Sequence, residues 1–113
     1  MQVSSESLEK MLVVSVTGRL DFGASAAFQQ SLESAVAEAK GRAVVLDCSG
    51  LEYVSSAGLR GFLIGARAAQ AAKVRFLVCS LQKSVAEVFE VSGFAKIIPV
   101  LPDRAAAESS VSA

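Results

Sequence analysis

Two adjacent hydroxyls, Ser55 and Ser56, open a stretch of helical period just after an apolar run and a short polar connection. The N-terminus of a helix has unpaired backbone N–H groups and a partial positive charge. A hydroxyl there can cap the helix, ligate an anion or accept a phosphoryl group. Capping accounts for one serine. It leaves the second, and the small pair Ala57-Gly58 behind it. Small residues keep a helix start open to close approach by another protein, or let the helix pack tightly inside its own fold. Asp21 follows a stretch rich in β-branched residues and can reach the same rim as Ser56. There it can meet a partner or cap the helix that comes next. Arg60 is close enough in sequence to Ser56 to meet a partner carboxylate. Asp47 and Ser49 are better suited to bracing the connection between them and Tyr53.

Other chemistry is poorly supplied. The chain of 113 residues contains no His and only two Cys. That removes Ser-His-Asp hydrolysis, imidazole acid–base catalysis and His-ligated metal sites. Cys48 and Cys79 are far apart, sit in apolar runs and do not form a CxxC pair. They are expected to be buried free thiols, as in a reducing compartment. No phosphate-binding glycine loop is present, so no nucleotide, metal or other cofactor is expected. Eleven basic residues balance eleven acidic ones. A general nucleic-acid binder needs an excess of cations. No apolar run reaches the roughly 20 residues needed to span a bilayer. The polar first ten residues do not form a secretory signal. The protein is expected to be cytoplasmic.

The elements that position these residues follow from periodicity. At 52% hydrophobic and 19% charged, the composition supports one packed domain over residues 1–113. A polar segment at residues 2–8 and the β-branched run 11–17 predict an N-terminal hairpin. Phe28, Leu32, Ala35, Val36 and Ala39 recur at helical spacing, and Gly41 ends that helix. Residues 43–46 and 74–79 are apolar runs suited to strands covered on both faces. Residues 47–54 are predicted to be a loop. A second helix then runs to about residue 72, with Leu59, Phe62, Leu63, Ala66 and Ala69 as its apolar stripe. Its glycines, Gly58, Gly61 and Gly65, are expected to let it lie close to the sheet. Ser80 is expected to cap a third helix over residues 81–92, and residues 97–100 to form a last strand. Asp103 is expected to cap a final turn or two before a tail, residues 105–113, that frays. The order ββαβαβαβα gives an α/β fold. It requires a mixed, mainly parallel sheet with an antiparallel hairpin at the front and helices mainly on one face.

Three motifs in this order resemble STAS-domain anti-sigma-factor antagonists. The first is Gly18-Arg19-Leu20-Asp21. The second is Asp47-Cys48-Ser49, followed by a connection and Ser55-Ser56-Ala57-Gly58-Leu59-Arg60. The third is Val91-Ser92-Gly93-Phe94. The similarity spans roughly residues 2–104. It implies a protein that binds an anti-sigma factor with serine-kinase activity and thereby frees a sigma factor. Phosphorylation at the helix start ends that binding, and a metal-dependent serine phosphatase restores it. Alignment of the motif places the acceptor at Ser56, with Ser55 as the competing acceptor because many members carry Asp there. The partner surface implied comprises Asp21, Ser55, Ser56, Ala57, Gly58 and Arg60. The alternative is a STAS interaction module of a transporter or signalling complex that is not phosphorylated. An enzyme is the third reading, with little in the composition to sustain it.

Overall fold

The computed structural model describes residues 1–112. Strands β1 (Gln2–Ser7) and β2 (Met11–Leu20) form an antiparallel hairpin in which Gln2 faces Thr17 and Ser7 faces Leu12. β3 (Ala43–Val54), β4 (Phe76–Cys79) and β5 (Val100–Leu101) continue the sheet in parallel. The spatial order is β1-β2-β3-β4-β5, the order of the chain itself. Helices α1 (Ser25–Ala39), α2 (Ser56–Ala71), α3 (Lys83–Val91) and α4 (Arg104–Ser112) follow β2, β3, β4 and β5 in turn.

Alternation along β2 divides the core in two. Leu12, Val14 and Val16 face α1, α2 and α3, and Met11 and Val13 face the other side. On the three-helix side, Phe28 of α1, Phe62 of α2 and Phe89 of α3 form a chain of tilted and edge-on rings, with centroids 4.8 Å and 5.1 Å apart. Such contacts add to the gain from burial alone. On the other side, α4 brings Ala107 down onto Val45, Leu77 and Cys79. The fold class expected from periodicity, with helices mainly on one face, is the one observed.

Several local expectations are corrected. Residues 47–54 continue β3 and are not a loop; they pair with β2 as far as Leu20↔Val54. Register shifts between Ser15 and Thr17 and between Gly18 and Arg19 break the two-residue period. Cys48, Leu51 and Val54 are therefore buried at steps of three, which concealed the strand. Ser80 does not cap the third helix. It has φ 63°, in the left-handed region, and Gln82 is the residue at the cap position. The last strand lies at Val100–Leu101. A 3-10 turn, Phe94–Lys96, precedes it and leaves Ile97 60% exposed.

The tail expected to fray is the helix α4. Asp103 Oδ1 accepts the Ala106 N–H at 2.8 Å, and Arg104 pairs with Glu6 at 2.8 Å. Arg75 donates to the carbonyl and hydroxyl oxygens of Ser110. These ties and the burial of Ala107 hold the helix on the sheet. On α2 the most buried face is Gly58, Gly61, Phe62, Gly65 and Ala69, while Leu59, Leu63 and Ala66 are only half-buried. A Cβ at Gly65 would meet Leu32 at 2.7 Å, and one at Gly61 would meet Phe28 at 3.1 Å. Gly61 and Gly65 bring α2 against α1, whereas Gly58 lies against Leu20 of β2, the close approach to the sheet expected of it.

No helix among the described residues is long and apolar enough to cross a membrane.

Candidate functional site

The carboxyl ends of β2 and β3 lie side by side, and the chemistry expected from sequence gathers there. The Ser55 N–H donates to the Leu20 carbonyl at 2.8 Å, the last rung between the two strands. This brings the start of α2 next to Asp21. Ser55 is extended, with φ −84° and ψ 171°, and its Oγ accepts the Gly58 N–H at 3.1 Å. It is a side-chain N-cap, one of the preferred ways to satisfy an orphan donor. Its neighbour Ser56 is the first residue of the helix and is exposed. Ser56 Oγ makes no hydrogen bond to any other described residue. The two adjacent hydroxyls are thus distinguished by geometry: one is engaged inside the protein and the other is free.

Ala57 is half-buried and Gly58 buried. A Cβ on Gly58 would lie 2.6 Å from Leu20 Cγ and 3.0 Å from the Leu20 carbonyl oxygen. Of the two readings of this small pair, tight internal packing describes Gly58. Arg60 is exposed one turn beyond Ser56 and forms no ion pair among the described residues. Asp21 Oδ1 accepts the Ala24 N–H at 3.0 Å and caps a 3-10 turn, Phe22–Ala24. The carboxylate is exposed beyond that bond, so capping leaves it available on the rim. Asp47 Oδ1 accepts the Ser49 N–H at 3.0 Å, and the Ser49 carbonyl accepts from Gln82 Nε2 at 2.9 Å. Asp47 therefore braces the backbone within β3, where a loop was expected. Ser49 does so through its backbone, not its hydroxyl.

Sequence reasoning missed two aromatic residues here. Phe22 projects from the turn after Asp21 and is 80% exposed. Tyr53, opposite Arg19 in the β2–β3 pairing, is 40% exposed, and the Arg19 guanidinium lies 4.3 Å from its ring centroid. Phe22 falls between the period of β2 and that of α1. Belonging to neither apolar pattern was the signal that could have placed it on the surface.

The thiols lie apart from this rim. Cys48 and Cys79 are free and fully buried, in the cores on opposite faces of the sheet. Desolvation pushes both above the ordinary thiol value of 9.0, Cys48 most strongly. A thiolate nucleophile does not form readily in such surroundings.

The STAS-domain family matches residues 2–107. BtrV of Bordetella bronchiseptica, provisionally named an anti-sigma factor antagonist, is 34% identical over 110 residues, covering 97% of this chain and 94% of its own. An anti-sigma factor antagonist from Mycobacterium paratuberculosis superposes with a TM-score of 0.88 at 24% identity, over 99% of this chain and 94% of that one. The Bacillus cell fate determinant SpoIIAA in its phosphorylated form has a TM-score of 0.71 at 17% identity, over 96% of this chain and 99% of its own. With the family match running from the first strand into the last helix, and a relative alike over nearly its whole length, the chain belongs to the STAS-domain family.

Proposed function

We propose that the protein is an anti-sigma-factor antagonist switched by phosphorylation at Ser56. In the unphosphorylated form it binds an anti-sigma factor that is also a serine kinase, and the sigma factor is released. The kinase transfers the γ-phosphoryl group of ATP to Ser56. A bond forms between Ser56 Oγ and phosphorus, the bond to the bridging oxygen of ADP breaks, and the hydroxyl proton is lost. A metal-dependent serine phosphatase reverses the modification in the cytoplasm. The chain acts as substrate and ligand, not catalyst.

The observation that carries this reading is the division of labour at the start of α2. Ser55 Oγ is spent on the Gly58 N–H, and Ser56 Oγ is exposed and unengaged. A kinase needs an accessible hydroxyl that is not already holding the fold together. The physical consequences of modification agree. A phosphoryl group adds about −1.5 to −2 charge at pH 7. At the first residue of a helix that charge meets a favourable dipole, so the fold persists. The phosphorylated form of Bacillus SpoIIAA shares this fold, which supports the same point. Binding suffers instead, because a bulky dianion now occupies a surface that a partner must approach. A loss of about 4 kcal/mol weakens affinity on the order of a thousandfold.

The test is phosphorylation by the kinase with ATP, read by mass spectrometry, combined with binding of the kinase to each variant. Ser56→Ala is expected to abolish incorporation, and Ser55→Ala to retain it. Ser56→Asp is expected to lose the partner. Incorporation at Ser55 with Ser56 untouched would overturn the assignment. Undiminished binding by Ser56→Asp would favour a constitutive interaction module.

A further inference from the structure

We propose that Phe22 is the aromatic anchor of the partner surface, seated in an apolar pocket of the anti-sigma factor; this rests on the partner-switching reading above. The side chain is 80% exposed, whereas Phe28, Phe62 and Phe89 are fully buried. A large apolar ring held in water forgoes the gain that burial would give it. Nothing within the fold recovers that loss.

The exposure does not come from a loose segment. The Asp21 carbonyl and carboxylate both accept the Ala24 N–H, at 3.2 Å and 3.0 Å. Ser25 Oγ donates to the Phe22 carbonyl at 2.7 Å. The residue's backbone is therefore held from both sides, and its ring projects from a fixed root. An aromatic side chain on a fixed backbone costs little ordering entropy to bury, which is how aromatic anchors serve interfaces.

Its location ties it to the switch. Phe22 follows Leu20 and Asp21, and Leu20 is joined to Ser55 by a backbone hydrogen bond at 2.8 Å. The turn also packs against α2, and just beyond it, at the first residue of α1, the Ser25 carbonyl oxygen would lie 3.9 Å from a Cβ on Gly61. An exposed ring next to Asp21, on a turn packed against the helix that carries the exposed Ser56 and Arg60, has the composition of a binding hot spot with a polar rim. The arrangement also explains why one phosphoryl group suffices to release the partner. A partner that closes over Phe22 excludes water from its surroundings, and a dianion on Ser56 would be desolvated there with only Arg60 and the helix dipole against a double charge. Of the other highly exposed apolar side chains, Val91, 89% exposed, is the last residue of α3, and Ile97, 60% exposed, follows the 3-10 turn before β5; neither adjoins the Leu20–Ser55 junction in the chain.

The experiment uses the full chain and the purified kinase that phosphorylates it, with affinity measured calorimetrically for the wild type, Phe22→Ala, Phe22→Leu, Val91→Ala and Ser56→Asp. Phe22→Ala is expected to weaken binding at least tenfold, Phe22→Leu by less, and Val91→Ala by under twofold. Melting temperatures of the two Phe22 variants should match the wild type, since the ring packs on nothing that folding needs. The kcat/KM for phosphorylation of Ser56 should fall along with affinity in Phe22→Ala. If Phe22→Ala binds within twofold of wild type while Ser56→Asp has lost the partner, the anchor is wrong and the switch stands. If Val91→Ala weakens binding as much as Phe22→Ala, the anchor is equally refuted. If Ser56→Asp binds like wild type, the switch itself fails.

Discussion

At the scale of single residues, the two serines at the start of α2 divide two tasks that either side chain could have performed. Ser55 keeps its hydroxyl on the Gly58 N–H, so its removal is a stability lesion. Ser55→Ala is expected to lower the unfolding free energy by about 1 kcal/mol, within the usual range for loss of an N-cap. Chemical denaturation measures this, and the same variant should still accept a phosphoryl group at Ser56. The sequence made the pair conspicuous and its motif favoured Ser56. It did not contain the hydrogen bond that separates them, because either serine has the chemistry of a cap. Asp21 shows the same limit: capping and exposure were alternatives in the sequence, and the turn geometry allows both at once. Phe22 was illegible for another reason. An apolar residue is assigned to the core by default, and only the absence of a matching period argued otherwise.

At the scale of elements, the packing of α2 decides where Ser56 stands. Gly58 lies hard against Leu20, which is fully buried and cannot withdraw. Gly58→Ala gains up to about 1 kcal/mol of helix propensity but places a methyl group 2.6 Å from Leu20 Cγ. The overlap is expected to win, with a net loss of about 1–2 kcal/mol. Gly61→Ala, whose nearest neighbour is the edge of the Phe28 ring at 3.1 Å, should cost less. Thermal unfolding of the two variants side by side tests the ranking. The helices were legible because their apolar spacing survives any modest rotation about the axis. Which side of α2 is most buried was not, since glycines read as breakers until a neighbour is seen against them. The far half of β3 was concealed by bulges that turned its period from two to three. The extent of the final helix, expected to be a turn or two, was concealed because an Ala- and Ser-rich tail has too little apolar surface of its own. Its order comes from partners distant in sequence, Glu6 and Arg75.

For the whole molecule, the sheet separates two cores that each enclose one thiol, and this makes stability depend on alkaline pH. Folding raises the pKa of Cys48 and Cys79 above 9.0, mainly by desolvation. Above that pH the unfolded chain sheds thiol protons that the folded chain retains, so the folded state binds more protons and stability falls as pH rises. The contribution is intact below about pH 9 and declines through the alkaline range. The midpoint of urea denaturation should fall between pH 8 and pH 10, and Cys48→Ala combined with Cys79→Ala should flatten that dependence. The overall fold was the most legible level of all, because strict alternation of strand and helix leaves few topologies open.

The spatial order of the strands, identical to their order in the chain, has a consequence for how the protein is born. During synthesis each new parallel strand docks on the edge just completed and never has to be inserted between two older ones. Once residue 71 has left the ribosome, β2, β3 and the whole of α2 are available, and the contacts that align Asp21 with Ser55 and Ser56 can close. Of the braces described at this rim, only the one from Gln82 to Ser49 waits for later chain. The surface on which the switch depends therefore belongs to the earlier part of a nascent molecule, and the remaining strands and helices finish a sheet that already carries it.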